Sequence, residues 1–122
     1  MTPEANALAR ILLRHHQQNC QGLAPTPMTV TDGMIGRCVV PYGQLCDRAG
    51  MGFLTPSVGM FLNEIAEWCD KNGWPPLNAL AVNRETGMPG EGYDEASGCA
   101  LLEWPEQVRK CIVFGGYPDD VG

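Results

Sequence analysis

Basic side chains, histidines and long apolar runs are what this chain has least of. It is 122 residues long, with 8 Lys or Arg against 14 Asp or Glu and a formal net charge of −6. Duplex-DNA binders usually carry a concentrated basic face, because phosphate neutralisation supplies most of their affinity. Here Arg10, Arg14, Arg37, Arg48, Lys71, Arg84, Arg109 and Lys110 are scattered along the chain, and strong non-specific binding to nucleic acid is not expected. No apolar stretch approaches the length of a membrane span, so no membrane partner is expected. The N-terminus lacks the basic start and continuous apolar core of a signal peptide, which makes cytoplasmic residence the expectation.

The 2 histidines, His15 and His16, are adjacent and have no companion at metal-ligand spacing. They read as helix-surface residues near a C-terminal end, where positive charge is tolerated. A cysteine nucleophile would need a base beside it, and these are the histidines available. There is no G-x-S-x-G, P-loop, H-E-x-x-H or dinucleotide fingerprint. The chain is therefore expected not to be an enzyme, with no catalytic residue, metal or cofactor assigned.

What is present bears mainly on folding. The length suits one domain with a core that needs no staples. The 6 cysteines (Cys20, Cys38, Cys46, Cys69, Cys99, Cys111) show no C-x-x-C pair and no tight spacing. Several occupy apolar positions of helical patterns, where a thiol behaves as a small hydrophobe, so reduced and buried thiols are expected. Glu64, Glu67 and Asp70 recur on one predicted helix and read as a solvated face. Glu91, Asp94 and Glu95 lack the alternating oxygen-ligand spacing of a calcium loop.

Along the chain, Thr2-Pro3 is an N-cap with proline at the first helical position, followed by Leu8, Ile11 and Leu12 at helical spacing to about Gln18. Gly22 to Pro27 is turn-rich. Met28 to Val40 reads as irregular, with short strands around Met28–Thr31 and Arg37–Val40. Pro41 opens a second short helix that stops at Gly50, with Leu45, Cys46 and Ala49 on one face. Met51, Phe53 and Leu54 lie in the linker, where they would suit a self-association patch and a homo-oligomer. Thr55-Pro56 repeats the cap signal. Val58, Phe61, Leu62, Ile65, Ala66 and Cys69 then define a third helix ending at Asn72-Gly73. Two helices around a short glycine-containing linker resemble a helix-turn-helix. Leu77 to Asn83 reads as a buried strand and Thr86 to Tyr93 as its turn. Pro105 opens a last helix or leads into a strand through Val108, Cys111, Ile112 and Phe114. A single domain over residues 1–114 and a loosely ordered tail over 115–122 follow.

The candidate site lies between Trp74 and Tyr93. A two-proline entry leads into a short apolar run, the run ends in Asn83, and a loop with three glycines closes on Tyr93. Asn78 and Asn83 carry side chains that pair with an amide or a nucleobase edge, and Trp74 or Tyr93 can stack on a planar ring. Arg84 suits a phosphate or carboxylate. Thr86, Gly87 and Gly90 complete the loop, and Tyr42, at the head of the second helix, is placed to reach a phosphate. A plainer reading stands beside this one. Asn83 and Thr86 cap a turn, Gly87 and Gly90 permit positive φ, and Tyr42 is a core tyrosine with its hydroxyl on backbone.

With these elements in place, Val39-Val-Pro-Tyr-Gly-Gln-Leu-Cys-Asp-Arg-Ala-Gly50, Pro56-Ser-Val-Gly-Met-Phe-Leu62 and Leu77 to Tyr93 resemble the C-terminal winged-helix domain of O6-alkylguanine-DNA alkyltransferases and alkyltransferase-like proteins. The resemblance covers about Arg37 to Tyr93. It implies an α+β fold, a single compact winged-helix-like domain of helices with a small sheet. The family's P-C-H-R-V segment falls on Pro76 to Val82, where there is no cysteine, so alkyl transfer is not implied. Alkyltransferase-like proteins keep a recognition-helix arginine, and Thr55 to Gly59 offers none. The Pro-Leu-Asn to Gly-Tyr run is also similar to small bacterial or phage proteins, a likeness that carries no function.

The resulting expectation is a non-catalytic protein that binds a nucleotide or other nucleobase-containing ligand through the Asn78–Tyr93 loop, including phage-type sequestration of a nucleotide signal as counter-defence. Two alternatives remain: a winged-helix DNA-binding regulator or damage sensor, and an acidic inhibitor of a nucleic-acid-processing protein.

Overall fold

Thr2 begins the fold by satisfying two demands at once. Its Oγ accepts the Ala5 N–H at 3.2 Å, capping helix α1 (Pro3–Asn19), while its own hydroxyl and backbone N–H donate to Glu64, each at 2.8 Å. Orphan donors at a helix start are thereby paired, and α1 is tied across the molecule. The computed structural model describes residues 1–90 and 103–121. Among these residues the protein is an α+β domain of five α-helices and a two-strand sheet. No helix among them is long and apolar enough to cross a membrane.

Leu8, Ala9, Leu12 and Leu13 recur on one face of α1 and are essentially fully buried. Against them pack α4 (Val58–Lys71), through Leu62, Ile65 and Cys69, and α5 (Trp104–Val113), through Val108, Cys111 and Ile112. Each fully buried Leu or Ile contributes about 1.5–3 kcal/mol relative to exposure. Between α1 and α4 in the chain come α2 (Asp32–Cys38), strand β1 (Val40–Pro41) and α3 (Tyr42–Arg48). Strand β2 (Ala81–Val82) pairs in parallel with β1, in the register Val40 to Ala81 and Pro41 to Val82. The crossover between them contains α3 and α4. Gly50 and Gly73 end those two helices at φ 74° and 71°, a left-handed position that glycine takes without a Cβ clash. Beyond them, Met51 N–H returns to Cys46 O and Trp74 N–H to Cys69 O.

Several expectations are corrected. Residues 28–38 are not strands. Thr31 caps α2 by accepting the Met34 N–H at 3.2 Å, and a single 3-10 turn, Pro27–Thr29, precedes it. The signal was the Thr-Asp pair, masked by Gly33 and Gly36. The strand expected over Leu77–Asn83 is mostly the 3-10 turn Leu77–Leu80, leaving two residues of β2. α4 begins after a 3-10 segment, Gly52–Ser57, rather than at Pro56. Pro105 does open a helix.

The histidines are the largest correction. His15 and His16 are 8% and 3% exposed. His15 Nε2 donates to Cys38 O at 2.7 Å, and its Nδ1 accepts from Arg48 at 3.1 Å and from Asn19 at 3.2 Å. His16 Nε2 donates to Cys111 O at 2.8 Å. The C-terminal half of α1 is covered on several sides, so position near a helix end did not mean exposure. The tail is likewise held. Tyr117 donates to Pro75 O at 2.6 Å and stacks edge-on against His16, Trp74 and Phe114, and Asp120 meets Arg10 at 2.8 Å.

Burial pushes both imidazoles below the usual histidine range; for His15 the Cys38 carbonyl opposes this while the Arg48 charge adds to it. The unfolded chain then binds more protons than the folded one as pH falls below the ordinary value of 6.5. This contribution to stability is complete above that value and is lost toward lower pH. Urea unfolding at about pH 5.5 should give a lower midpoint than at about pH 7.5; equal midpoints would contradict neutral buried rings. Tyr117→Phe should destabilise by about 1 kcal/mol and Tyr117→Ala by about 3 kcal/mol in the same assay, whereas a loose tail would leave both silent.

Candidate functional site

The segment after β2 turns back on itself through its own polar groups. Asn83 N–H donates to Met88 O, and Gly87 N–H donates to Asn83 O, each at 2.8 Å. Asn83 Oδ1 accepts the Glu85 N–H at 2.8 Å, an Asx turn that spends the side chain's acceptor and leaves its Nδ2 donor free among the described residues. Thr86 Oγ both accepts from and donates to Met88 backbone at 3.2 Å. Gly87 sits at φ 69°. The plain capping reading of Asn83, Thr86 and Gly87 is therefore realised, and it fixes where Arg84 leaves the chain.

That turn forms one wall of a cleft of about 520 Å³. Ile35, Gly36 and Val39 of α2, Pro41 and Val82 of the sheet, and Trp104 and Pro105 at the start of α5 supply an apolar interior. Asp32, Asn83, Arg84 and Gly87 supply the polar positions. Such a volume, apolar with a few convergent polar groups, is typical of a small-molecule site. Trp104 is locked by its Nε1–H donating to Ala79 O at 2.9 Å. Arg84 is exposed and makes no ion pair among the described residues. Asp32 meets Arg109 at 3.3 Å but keeps its carboxylate 98% exposed.

The other residues anticipated from sequence are placed elsewhere. Tyr42 is half-buried, and its hydroxyl accepts the Gly90 N–H at 2.6 Å. Burial pushes its phenol above the usual tyrosine range, partly opposed by that bond. It closes the base of the loop rather than the cleft. Trp74 packs edge-on against Trp68, with ring centroids 5.0 Å apart, and against Tyr117 at 6.0 Å. Asn78 is 3% exposed, its Oδ1 has no hydrogen-bond partner among the described residues, and it does not line the cleft. Tyr93 and the acidic positions 91, 94 and 95 lie outside the described residues.

Thus Asn83, Arg84 and Gly87 come together, joined by Asp32, Ile35, Val39 and Trp104, which the sequence reading did not single out. Only the Thr31-Asp32 cap and the Trp104-Pro105 pair signalled them. The described cysteines are buried free thiols, and Cys99 lies outside the described residues. Burial pushes Cys69 up to about 11 and Cys111 up to about 12, which keeps both protonated at neutral pH. No group of three His, Cys, Asp or Glu side chains suited to a metal lies together among the described residues. The chain matches no protein-family model, no curated protein and no solved structure.

Tyr42→Phe should remove the anchor of Gly90. Stability should fall by about 1–2 kcal/mol, and the Gly90 amide should lose its protection from hydrogen exchange. Unchanged protection would show that the 2.6 Å bond does not hold the loop.

Proposed function

We propose that the protein is a binding protein for a nucleotide-type small molecule, received in the cleft between α2, β2 and the Asn83–Gly87 turn. The observation that carries this reading is the meeting of an apolar interior with an arginine and an amide donor on one turn, neither of them paired among the described residues. Ile35, Val39, Val82 and Trp104 offer a base an apolar surface. Asn83 Nδ2 is available to a base acceptor, and the Arg84 guanidinium to a phosphate. The chain's overall negative charge favours a small anion met by one local cation over a long polyanion.

The finer fold reading belongs here as well. We read α3, the 3-10 segment and α4 as a helix-turn-helix, and the Asn83–Met88 turn as its wing. A regulator that lays α4 in a DNA groove is a second reading, favoured by the exposed Gly59, Met60 and Asn63 at the start of that helix. Glu67 and Asp70 further along the helix oppose it.

A thermal-shift screen and calorimetry with mono-, di- and cyclic nucleotides test the first reading. Arg84→Ala should weaken a nucleotide by about ten- to a hundredfold while leaving the matching nucleoside unchanged. Asn83→Asp keeps the acceptor of the Asx turn and deletes the donor, so it should lose affinity without loss of stability. If neither substitution alters binding, the cleft is not the site. A shift confined to oligonucleotides, with a steep salt dependence, would move the assignment to the α4 reading.

A further inference from the structure

A second cavity, of about 360 Å³, lies between the C-terminal half of α1 and the segment after α5, with His16, Gln17, Gln21, Phe114, Tyr117 and Asp119 in its lining. Unlike the cleft, it holds no cationic side chain, and the one hydroxyl in its lining, that of Tyr117, is already donated to Pro75 O. His16 is 3% exposed. Because Cys111 O can only accept, the 2.8 Å bond fixes the proton on His16 Nε2 and leaves Nδ1 as a lone pair. Nδ1 forms no hydrogen bond among the described residues; the Ile112 backbone also lies near the ring, Tyr117 packs edge-on against it at 4.9 Å, and the residue lines the cavity. Asp119 brings a full negative charge to the same space. It is touched at 3.3 Å by Gln17 Nε2 and makes no ion pair among the described residues, in contrast to its neighbour Asp120, which meets Arg10.

We propose that this cavity is a binding site for a primary alkylammonium group. Three N–H donors on one positive centre suit the set present: the His16 Nδ1 lone pair, the Asp119 carboxylate and the side-chain carbonyl of Gln17 or Gln21. Charge-assisted bonds to a carboxylate are the strongest of these. The alkyl stem lies against Leu13, Pro118 and Phe114, and the Phe114 ring adds a favourable face for a cation. A metal ion is a poorer occupant, because no three metal-ligating side chains converge among the described residues. An anion would meet Asp119 with like charge.

The site shares no lining residue with the cleft, so it stands or falls independently of the nucleotide reading. The probe is butylammonium chloride, compared at matched ionic strength with 1-butanol, which has the chain without the charge, and with tetramethylammonium, which has the charge without N–H donors. Butylammonium should raise the unfolding midpoint and shift the His16 Nδ1 nitrogen resonance; butanol should do neither, and tetramethylammonium should bind more weakly. Asp119→Asn, at an exposed position that leaves the core intact, should weaken butylammonium by about tenfold. Arg84→Ala should leave it unchanged. Absence of a shift with butylammonium, an equal shift with butanol or tetramethylammonium, or full retention of binding in Asp119→Asn would each overturn the proposal.

Discussion

The arrangement rests on two adjacent imidazoles. Neighbouring residues on a helix point in directions about 100° apart, so His15 and His16 address different partners from a single turn of α1. One ring holds the carbonyl at the end of α2, the other the carbonyl in the last turn of α5. Those two helices are the walls of the apolar cleft. Both bonds replace water in the interior, where an unmatched carbonyl or ring nitrogen is expensive, and both use neutral rings that need no counter-charge. A pair of leucines at these positions would bury more apolar surface but would leave the two helix ends unpaired and free to choose another angle.

The turn that faces those walls is organised differently. It owes little to the core and much to itself: the Asn83 side chain, the Thr86 hydroxyl and a left-handed glycine close it within six residues. The Tyr42 hydroxyl then pins Gly90 from a neighbouring helix. A ligand arriving there would not have to order the backbone first, which removes a cost that flexible loops bear on binding. Stability of the domain and readiness of the turn are therefore separable properties, the first set by α1 and the second by local polar closure.

How much of this was legible in the sequence depended on whether the signal was local. Caps and periodicity were local: Thr2-Pro3, the stops at Gly50 and Gly73, the apolar stripe from Val58 to Cys69, and the self-closing turn at Asn83 all correspond to physical features at those positions. α2 was missed because two glycines in seven residues dilute helix propensity, and the helix stands through its cap and the burial of Ile35 and Cys38. The histidines were misjudged because their burial comes from elements far away in sequence. Tyr117 was missed for the same reason: nothing around it hints that Pro75 will offer a carbonyl 42 positions earlier. The candidate site shows the same division. Asn83, Arg84 and Gly87 were readable from their loop, whereas the α2 and α5 residues that complete the cleft are visible only once the chain is folded.

The sheet carries a consequence of another kind. Each strand is two residues long, and one of the four positions is a proline that has no N–H to offer. A strand edge becomes hazardous when it presents a run of unpaired donors and acceptors that another chain can copy. Here the run ends almost as soon as it begins, with a helix on either side of β1. Among the described residues, exchange of strands between copies has little to grip, and misassociation at high concentration would proceed through exposed side chains such as Phe53 and Met60.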